Sequence, residues 1–295
     1  MDAAWESGIT TFDTADAYGG GRSERFIGEW LRAKGPEVRQ EIVLSTKTFN
    51  PMAQGADHGL APTRVRRQLE SSLDRLGVER VDMFLAHAWD PDVPVAETAG
   101  ALDELVTEGK VGAYGLSNVD GTELREALGL EAPTAEPSAP GRKSLPPPAA
   151  AGSFGWVQNS YSLLDREAER EVLPLCAERG LGFTPFSPLA GGWLTGKYRR
   201  GEPPPAGSRM TTRPEAYRHL VQDERVYDVL ESLEAAAAKR GTTPAALALA
   251  WLLSDPRVSA VVVGPRRPEH LGPPLEAAGV ALDDAARAAL SSPWQ

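Results

Sequence analysis

Ile42-Val43-Leu44-Ser45-Thr46-Lys47 is a short apolar run that closes on a lysine, and Val81-Asp82-Met83-Phe84-Leu85-Ala86-His87 is another that closes on a histidine. Between them, Pro62-Thr63 opens a pattern in which Val65, Leu69, Leu73 and Leu76 recur at the spacing of one helix face. Strand, helix, strand in that order is a βαβ unit, whose two strands lie parallel in one sheet. The unit repeats in both directions. Upstream lie the strand-like Ile9–Phe12 and the helical stretch Glu24–Lys34. Downstream, the strand-like runs are Val111–Leu116, Trp156-Val157, Leu181–Phe186 and Val258–Val263. The helical patterns among them are Ala96–Glu108, Arg166–Arg179, Asp223–Lys239 and Pro244–Leu253. This alternation predicts an α/β fold with a parallel sheet, either a (β/α)8 TIM barrel or a doubly wound open sheet. The length of 295 residues favours the barrel as a single domain over residues 1–295, since such barrels typically take about 250 residues.

Two irregularities stand out. Residues 131–155 carry Pro133, Pro137, Pro140 and the run Pro146-Pro147-Pro148 among Ala and Ser. That composition buries too little apolar surface to offset chain entropy, so a disordered surface insertion is expected there. The chain also opens in a helical pattern, Ala3-Ala4-Trp5-Glu6-Ser7, and only seven strand-like runs follow. Either the N-terminal strand of an eight-stranded barrel is missing, or the barrel is open.

Composition narrows the function. Lys and Arg number 31 against 41 Asp and Glu, a net charge of −10. No nucleic-acid partner and no membrane partner is expected of so acidic a chain, and a phosphate-bearing ligand would need a local cluster of cations. No apolar run approaches the roughly 18–20 residues of a membrane span. Met1-Asp2-Ala3-Ala4-Trp5 has no secretory n-region, and Cys176 is the single cysteine, so a reducing, cytoplasmic setting is expected. His58, His87, His219 and His270 are scattered without ligand spacing, so no metal site is expected. Neither a phosphate loop nor a Gly-x-Ser-x-Gly elbow occurs, and Gly19-Gly20-Gly21 reads as a turn.

The polar residues that end the apolar runs are Asp13, Lys47, His87, Ser117-Asn118, Gln158 and Phe186-Ser187. In a parallel barrel all these ends open on one face, where active sites are built. Asp13, Tyr18, Lys47 and His87 gathered there could deliver a proton to an oxygen gaining negative charge. The phenol is the acid, the ammonium is expected to lower its pKa, and the carboxylate keeps the ammonium charged. A neutral imidazole can orient a carbonyl. These side chains carry no redox centre, so the hydride must come from a nicotinamide cofactor.

Six segments resemble the aldo-keto reductase family, in particular its potassium-channel-beta-like branch. They are Phe12-Asp13-Thr14-Ala15-Asp16-Ala17-Tyr18-Gly19, Leu44-Ser45-Thr46-Lys47, residues 84–91, residues 108–118, residues 157–166 and residues 186–198. The resemblance implies a (β/α)8 barrel that binds NADP(H), with NAD(H) as the alternative, and reduces an aldehyde or ketone to an alcohol. It implies Tyr18 as general acid, helped by Lys47 and Asp13, with His87 orienting the small-molecule carbonyl. Ser117, Asn118 and Gln158 match the groups that hold the nicotinamide carboxamide, and Phe186 the ring that stacks on it. Ser187, Leu189, Gly191 and Lys197 match the pyrophosphate loop. Gly264, Arg266, Arg267 and His270 match the segment that grips the 2′-phosphate. His270 stands where the family usually has Gln and Pro274 where it has Asn, and Pro273-Pro274 is expected to disturb the short helix there. Two other readings stand beside the reductase: a cofactor-binding auxiliary subunit with little turnover, and a truncated, inactive reductase. Substrate identity and oligomeric state are not legible in the sequence.

Overall fold

The computed structural model describes residues 1–130 and 154–294, so most of the Pro-rich insertion lies outside the described residues. The described residues form two compact units. The first comprises residues 1–158 and 171–183, the second residues 159–170 and 184–295.

In the first unit six strands run β1 (Thr11–Asp13), β2 (Val43–Thr48), β3 (Val81–Ala86), β4 (Val111–Ser117), β5 (Trp156–Gln158) and β6 (Gly182–Phe183). All neighbours are parallel, and the spatial order is the chain order β1 to β6. A doubly wound sheet would reverse direction at a switch point. Unbroken sequential order is that of the (β/α)8 class. The helices are α1 (Asp2–Glu6), α2 (Arg22–Lys34), α3 (Pro36–Glu41), α4 (Pro62–Leu76), α5 (Val95–Thr107), α6 (Gly121–Ala127) and α7 (Val172–Arg179).

The interior strands are buried along nearly their whole length, with Leu44, Phe84, Leu85, Leu116, Val157 and Phe183 sealed from solvent. That is why they read as continuous apolar runs rather than alternating ones. α4 buries Val65, Leu69, Leu73 and Leu76, the face predicted from their spacing. α2 buries Ile27 and Leu31 and meets α4 at Gly28. A Cβ at Gly28 would lie 2.5 Å from the Arg75 carbonyl oxygen and 2.7 Å from that of Leu76, so only glycine allows this approach. Asp120 and Glu123 form a reciprocal capping box that starts α6 directly after the β4 loop.

The second unit contains α8 (Arg209–Thr212), α9 (Arg218–Gln222), α10 (Glu224–Arg240), α11 (Pro244–Leu253), α12 (Gly272–Ala277) and α13 (Asp284–Ser291). α11 is apolar all round, and residues 245–252 are all buried. Its Trp251 lies between the Arg166 and Arg287 guanidiniums, 5.5 and 4.9 Å from the ring centroid. Buried Asp255 accepts from Arg257 and Arg287.

Four expectations change. Val258–Val263 is not a strand. Its side chains are half-exposed, and its backbone bonds include Val258 N–H to the Asp255 carbonyl at 3.0 Å and Val262 N–H to the Pro185 carbonyl at 2.9 Å, which make no ladder. Leu181–Phe186 is regular strand only at Gly182–Phe183, since Pro185 has no N–H to donate, and Phe186 makes an isolated parallel bridge with Ser160. Arg166–Arg179 divides into a 3-10 turn at Glu167–Glu169 and α7. Pro273-Pro274 does not disturb α12. The helix begins at Gly272, and the prolines occupy its first turn, where no helical N–H is needed. No described helix is long and apolar enough to cross a membrane.

Candidate active site

In-register pairing of parallel strands brings their carboxyl ends level, and the site of the first unit follows from that alone. Asp13 pairs with Ser45, Thr48 with Ala86, and Ser117 with Gln158. Lys47 is wholly buried, and its ammonium donates to Asp13 Oδ2 and, at 2.9 Å, to the Thr14 carbonyl. Asp13 is 15 % exposed, and its Oδ1 accepts from Ser45 Oγ at 2.8 Å and Gln158 Nε2 at 3.3 Å. Tyr18 sits on the segment between β1 and α2, 43 % exposed, followed by the Gly19–Gly21 turn. Its hydroxyl lies 3.5 Å from His87 Nε2, with the two rings edge to face. Lys47 Nζ lies 5.3 Å from the centre of the Tyr18 ring.

The structure therefore gathers Asp13, Lys47 and His87 from the strand ends, with Tyr18 from the segment after β1. Their electrostatics differ from expectation in one respect. Desolvation, and then the negative charge of Asp13, push the Tyr18 phenol up to about 12. Lys47 does not lower it, because the ammonium faces the ring and its charge is matched by Asp13. Burial pulls Lys47 below the usual ammonium range, and Asp13 opposes that pull. Burial, and then the Lys47 charge, push His87 down to about 4, so its imidazole is neutral at physiological pH.

Ser117, Asn118 and Gln158 are linked beside this group. Ser117 Oγ donates to the Gln158 carbonyl at 2.7 Å, and Asn118 Nδ2 donates to the His87 carbonyl at 2.8 Å. Asn118 holds a φ of 56°. Left-handed backbone at a non-glycine residue costs energy and concentrates at functional loops. Asn50, which the sequence reading did not single out, places its amide Nδ2 3.2 Å from His87 Nδ1.

The second unit carries the remaining candidates. Phe186 is half-buried, with its N–H bonded to the Asn159 carbonyl at 2.9 Å. The following turn is strained, with φ of 52° at Ser187 and 46° at Ala190. Gly191 follows at φ 66°, and a Cβ there would lie 2.2 Å from the Tyr217 ring, so this backbone requires glycine. Leu189 packs against the buried cluster of Ala246, Leu249, Ala250 and Ala277. Lys197 is drawn below its ordinary value by burial and by the neighbouring charges of Arg209 and Arg266. Among the described residues no carboxylate pairs with any of these three cations. The hydroxyl of Ser208, next to Arg209, is buried without a partner. Unpaired cations beside an orphaned hydroxyl fit a phosphate-bearing group. Arg209 and Tyr217 were missed in the sequence because they follow no strand; their signal is the Lys197 cluster. Arg267 is exposed at the start of the 3-10 turn Pro268–Leu271. Gly264 has open space around it, so its backbone does not demand glycine. His270 Nδ1 accepts the Arg266 N–H at 3.2 Å and so shapes that loop from within.

Other residues have packing roles. Cys176 is buried, with its thiol pushed up to about 12 by desolvation. Trp193 is buried and stacks on Tyr198 at 4.3 Å.

The aldo/keto reductase family pattern matches residues 1–294, and the chain belongs to that family. It is 35% identical to the uncharacterized oxidoreductase YrpG of Bacillus subtilis, over 96% of this chain and 82% of that protein. It is 32% identical to the NADH-specific methylglyoxal reductase of Escherichia coli, again over 96% and 82%. A putative voltage-gated potassium channel subunit beta of Schizosaccharomyces pombe is 34% identical, over 92% of this chain and 75% of that one. Among solved structures, a glycerol dehydrogenase of Gluconobacter oxydans superposes with a TM-score of 0.79 at 26% identity, covering 99% of this chain and 83% of that one.

Proposed function

We propose that this protein reduces an aldehyde or ketone to an alcohol with NADPH, and that Tyr18 is the general acid. The observation that carries the proposal is the Tyr18 hydroxyl 3.5 Å from His87 Nε2, beside the buried Lys47–Asp13 pair. When bound, the nicotinamide supplies the hydride that the carbonyl carbon accepts. Tyr18, raised to about 12, holds its proton throughout the neutral range and releases it only to an oxygen gaining negative charge. The Lys47 ammonium, held by Asp13, lies 5.3 Å from the ring centre. Solvent reaches the exposed ring and can return the proton. His87 is neutral and can donate one hydrogen bond to the carbonyl oxygen, fixing its direction.

In the first unit, Ser117, Asn118 and Gln158 are proposed to hold the nicotinamide carboxamide. In the second, Phe186 offers a stacking face. Ser187, Leu189, Gly191 and Lys197, with Arg209, offer backbone and cation contacts to phosphates. Gly264, Arg266 and Arg267 belong to the loop assigned to the 2′-phosphate, with His270 shaping it. Three unpaired cations favour NADPH over NADH, unlike the relative named as NADH-specific. The relatives named as channel beta subunits support a second reading, an auxiliary subunit with little turnover.

Titration of the protein with NADPH and NADH by intrinsic tryptophan fluorescence, followed by NADPH oxidation with generic aldehydes, tests both readings. Tighter binding of NADPH with aldehyde-dependent oxidation supports the reductase. Tight binding without turnover on any carbonyl supports the auxiliary subunit, and no binding of either nucleotide rejects both.

A further inference from the structure

We infer that Asn50 is a positioning residue that holds His87 in the tautomer carrying its proton on Nε2. The inference deepens the proposed role of His87 and rests on that reading. The Asn50 amide nitrogen lies 3.2 Å from His87 Nδ1. An amide N–H only donates, so Nδ1 must be the acceptor, and the neutral ring then carries its proton on Nε2. Nε2 is the nitrogen that faces the Tyr18 hydroxyl. In this tautomer the ring donates toward the reacting oxygen and leaves the Tyr18 proton free for transfer. In the other tautomer Nε2 would be an acceptor and would compete for that proton.

Asn50 is held for this task by the chain around it. The Phe49 carbonyl accepts the Gly59 N–H at 2.8 Å, closing residues 50–58 into a loop. Inside the closure, Arg64 is 3 % exposed. Its guanidinium donates to the carbonyls of Asn50 (3.1 Å), Asp57 (3.3 Å) and Gly59 (2.8 Å), and to Thr48 Oγ1 (3.0 Å). Thr48 Oγ1 donates in turn to buried Asp16 at 2.7 Å. Thr48 also accepts the His87 N–H through its carbonyl at 2.9 Å, and Asn118 caps the His87 carbonyl. One buried network thus fixes the backbone of both partners, and the remaining freedom at His87 is ring tautomerism. The charged and titratable groups facing the ring are Lys47, Asp13 and Tyr18, with Arg64 and Asp16 behind Asn50.

Nitrogen-15 NMR of the imidazoles tests this on the protein alone. There are four histidines, and the His87 signals are assigned by their loss in His87→Gln. In the wild type at pH 7, Nδ1 should resonate as an unprotonated nitrogen and Nε2 as a protonated one. Asn50→Ala should give a mixture. Asn50→Asp replaces the donor by a carboxylate, so Nδ1 should become protonated and the ring should titrate at higher pH. In turnover with NADPH, Asn50→Ala should lower kcat roughly 10-fold or more with the KM for NADPH unchanged. A wild-type Nδ1 that carries the proton, or a tautomer unchanged in Asn50→Asp, would overturn the inference. Absence of turnover with the expected tautomer would instead count against the carbonyl-reductase reading.

Discussion

Asp13→Asn removes the charge that matches Lys47 while keeping the shape of the side chain. In the wild type the ammonium is fully buried with two acceptors, Asp13 and the Thr14 carbonyl. The substitution leaves an amide oxygen to accept from Nζ but removes the charge, and sets an amide N–H against the Gln158 amide donor that Asp13 Oδ1 now accepts. Breaking one side of a buried pair costs about 3–5 kcal/mol. The lower end applies, since Asp13 is 15 % exposed and the Thr14 bond survives. A loss of about 3 kcal/mol would lower the melting temperature by roughly 5–10 °C. The pH dependence identifies the cause. Burial already holds Lys47 below 10.5, and Asp13 opposes that shift. Without Asp13 the native state binds the Lys47 proton still more weakly than the unfolded chain does. Stability therefore rises with pH between the folded and unfolded pKa values, more steeply in the variant. The gap between the two proteins should be widest near pH 7 and shrink toward pH 10. Urea unfolding followed by tryptophan fluorescence across that range measures it. A gap below about 1 kcal/mol, the size of an exposed pair, or one that does not change with pH, would refute the reasoning.

Three further outcomes follow from particular residues. His87 is held down to about 4 against 6.5, so the unfolded chain takes up a proton that the native ring refuses as pH falls through that window. Stability should decline from pH 6.5 to pH 4 more steeply in the wild type than in His87→Gln, and equal slopes in thermal melts would contradict this. Gly191→Ala should weaken NADPH binding at least about tenfold, since a glycine-only backbone and the Tyr217 ring both oppose a Cβ there; unchanged affinity in the fluorescence titration would remove this loop from the phosphate site. Gly28→Ala should destabilise by about 1–3 kcal/mol, as overpacking against the Arg75 and Leu76 carbonyls forces α2 from α4, and an unaltered urea midpoint would contradict that contact.

The part of the site that lies on strands was legible in the sequence. Asp13, Lys47, His87, Ser117 and Gln158 each close or follow an apolar run, and parallel pairing in register necessarily brings such ends level. What lies on loops was not. Asn50 acts on the His87 ring and Arg64 on backbone carbonyls, and neither contact leaves a mark on side-chain periodicity. Arg209 joins Lys197 and Arg266 across stretches without regular spacing. Val258–Val263 shows the opposite error. An apolar run reads as a strand, yet the backbone needs neighbours on which to form a ladder, and Val258–Val263 belongs to no strand. Electrostatics was legible in kind but not in sign. That Lys47 meets both Asp13 and Tyr18 followed from position, whereas the upward shift of the Tyr18 phenol needed coordinates.

Tyr18→Phe removes the one hydroxyl to which the account gives the transferred proton, and the deleted atom sits at an exposed edge where folding should not suffer. Wild type and variant are compared for NADPH affinity by fluorescence and for NADPH oxidation with a generic aldehyde. The account predicts unchanged affinity with a rate lower by about 100-fold or more; equal rates would contradict it.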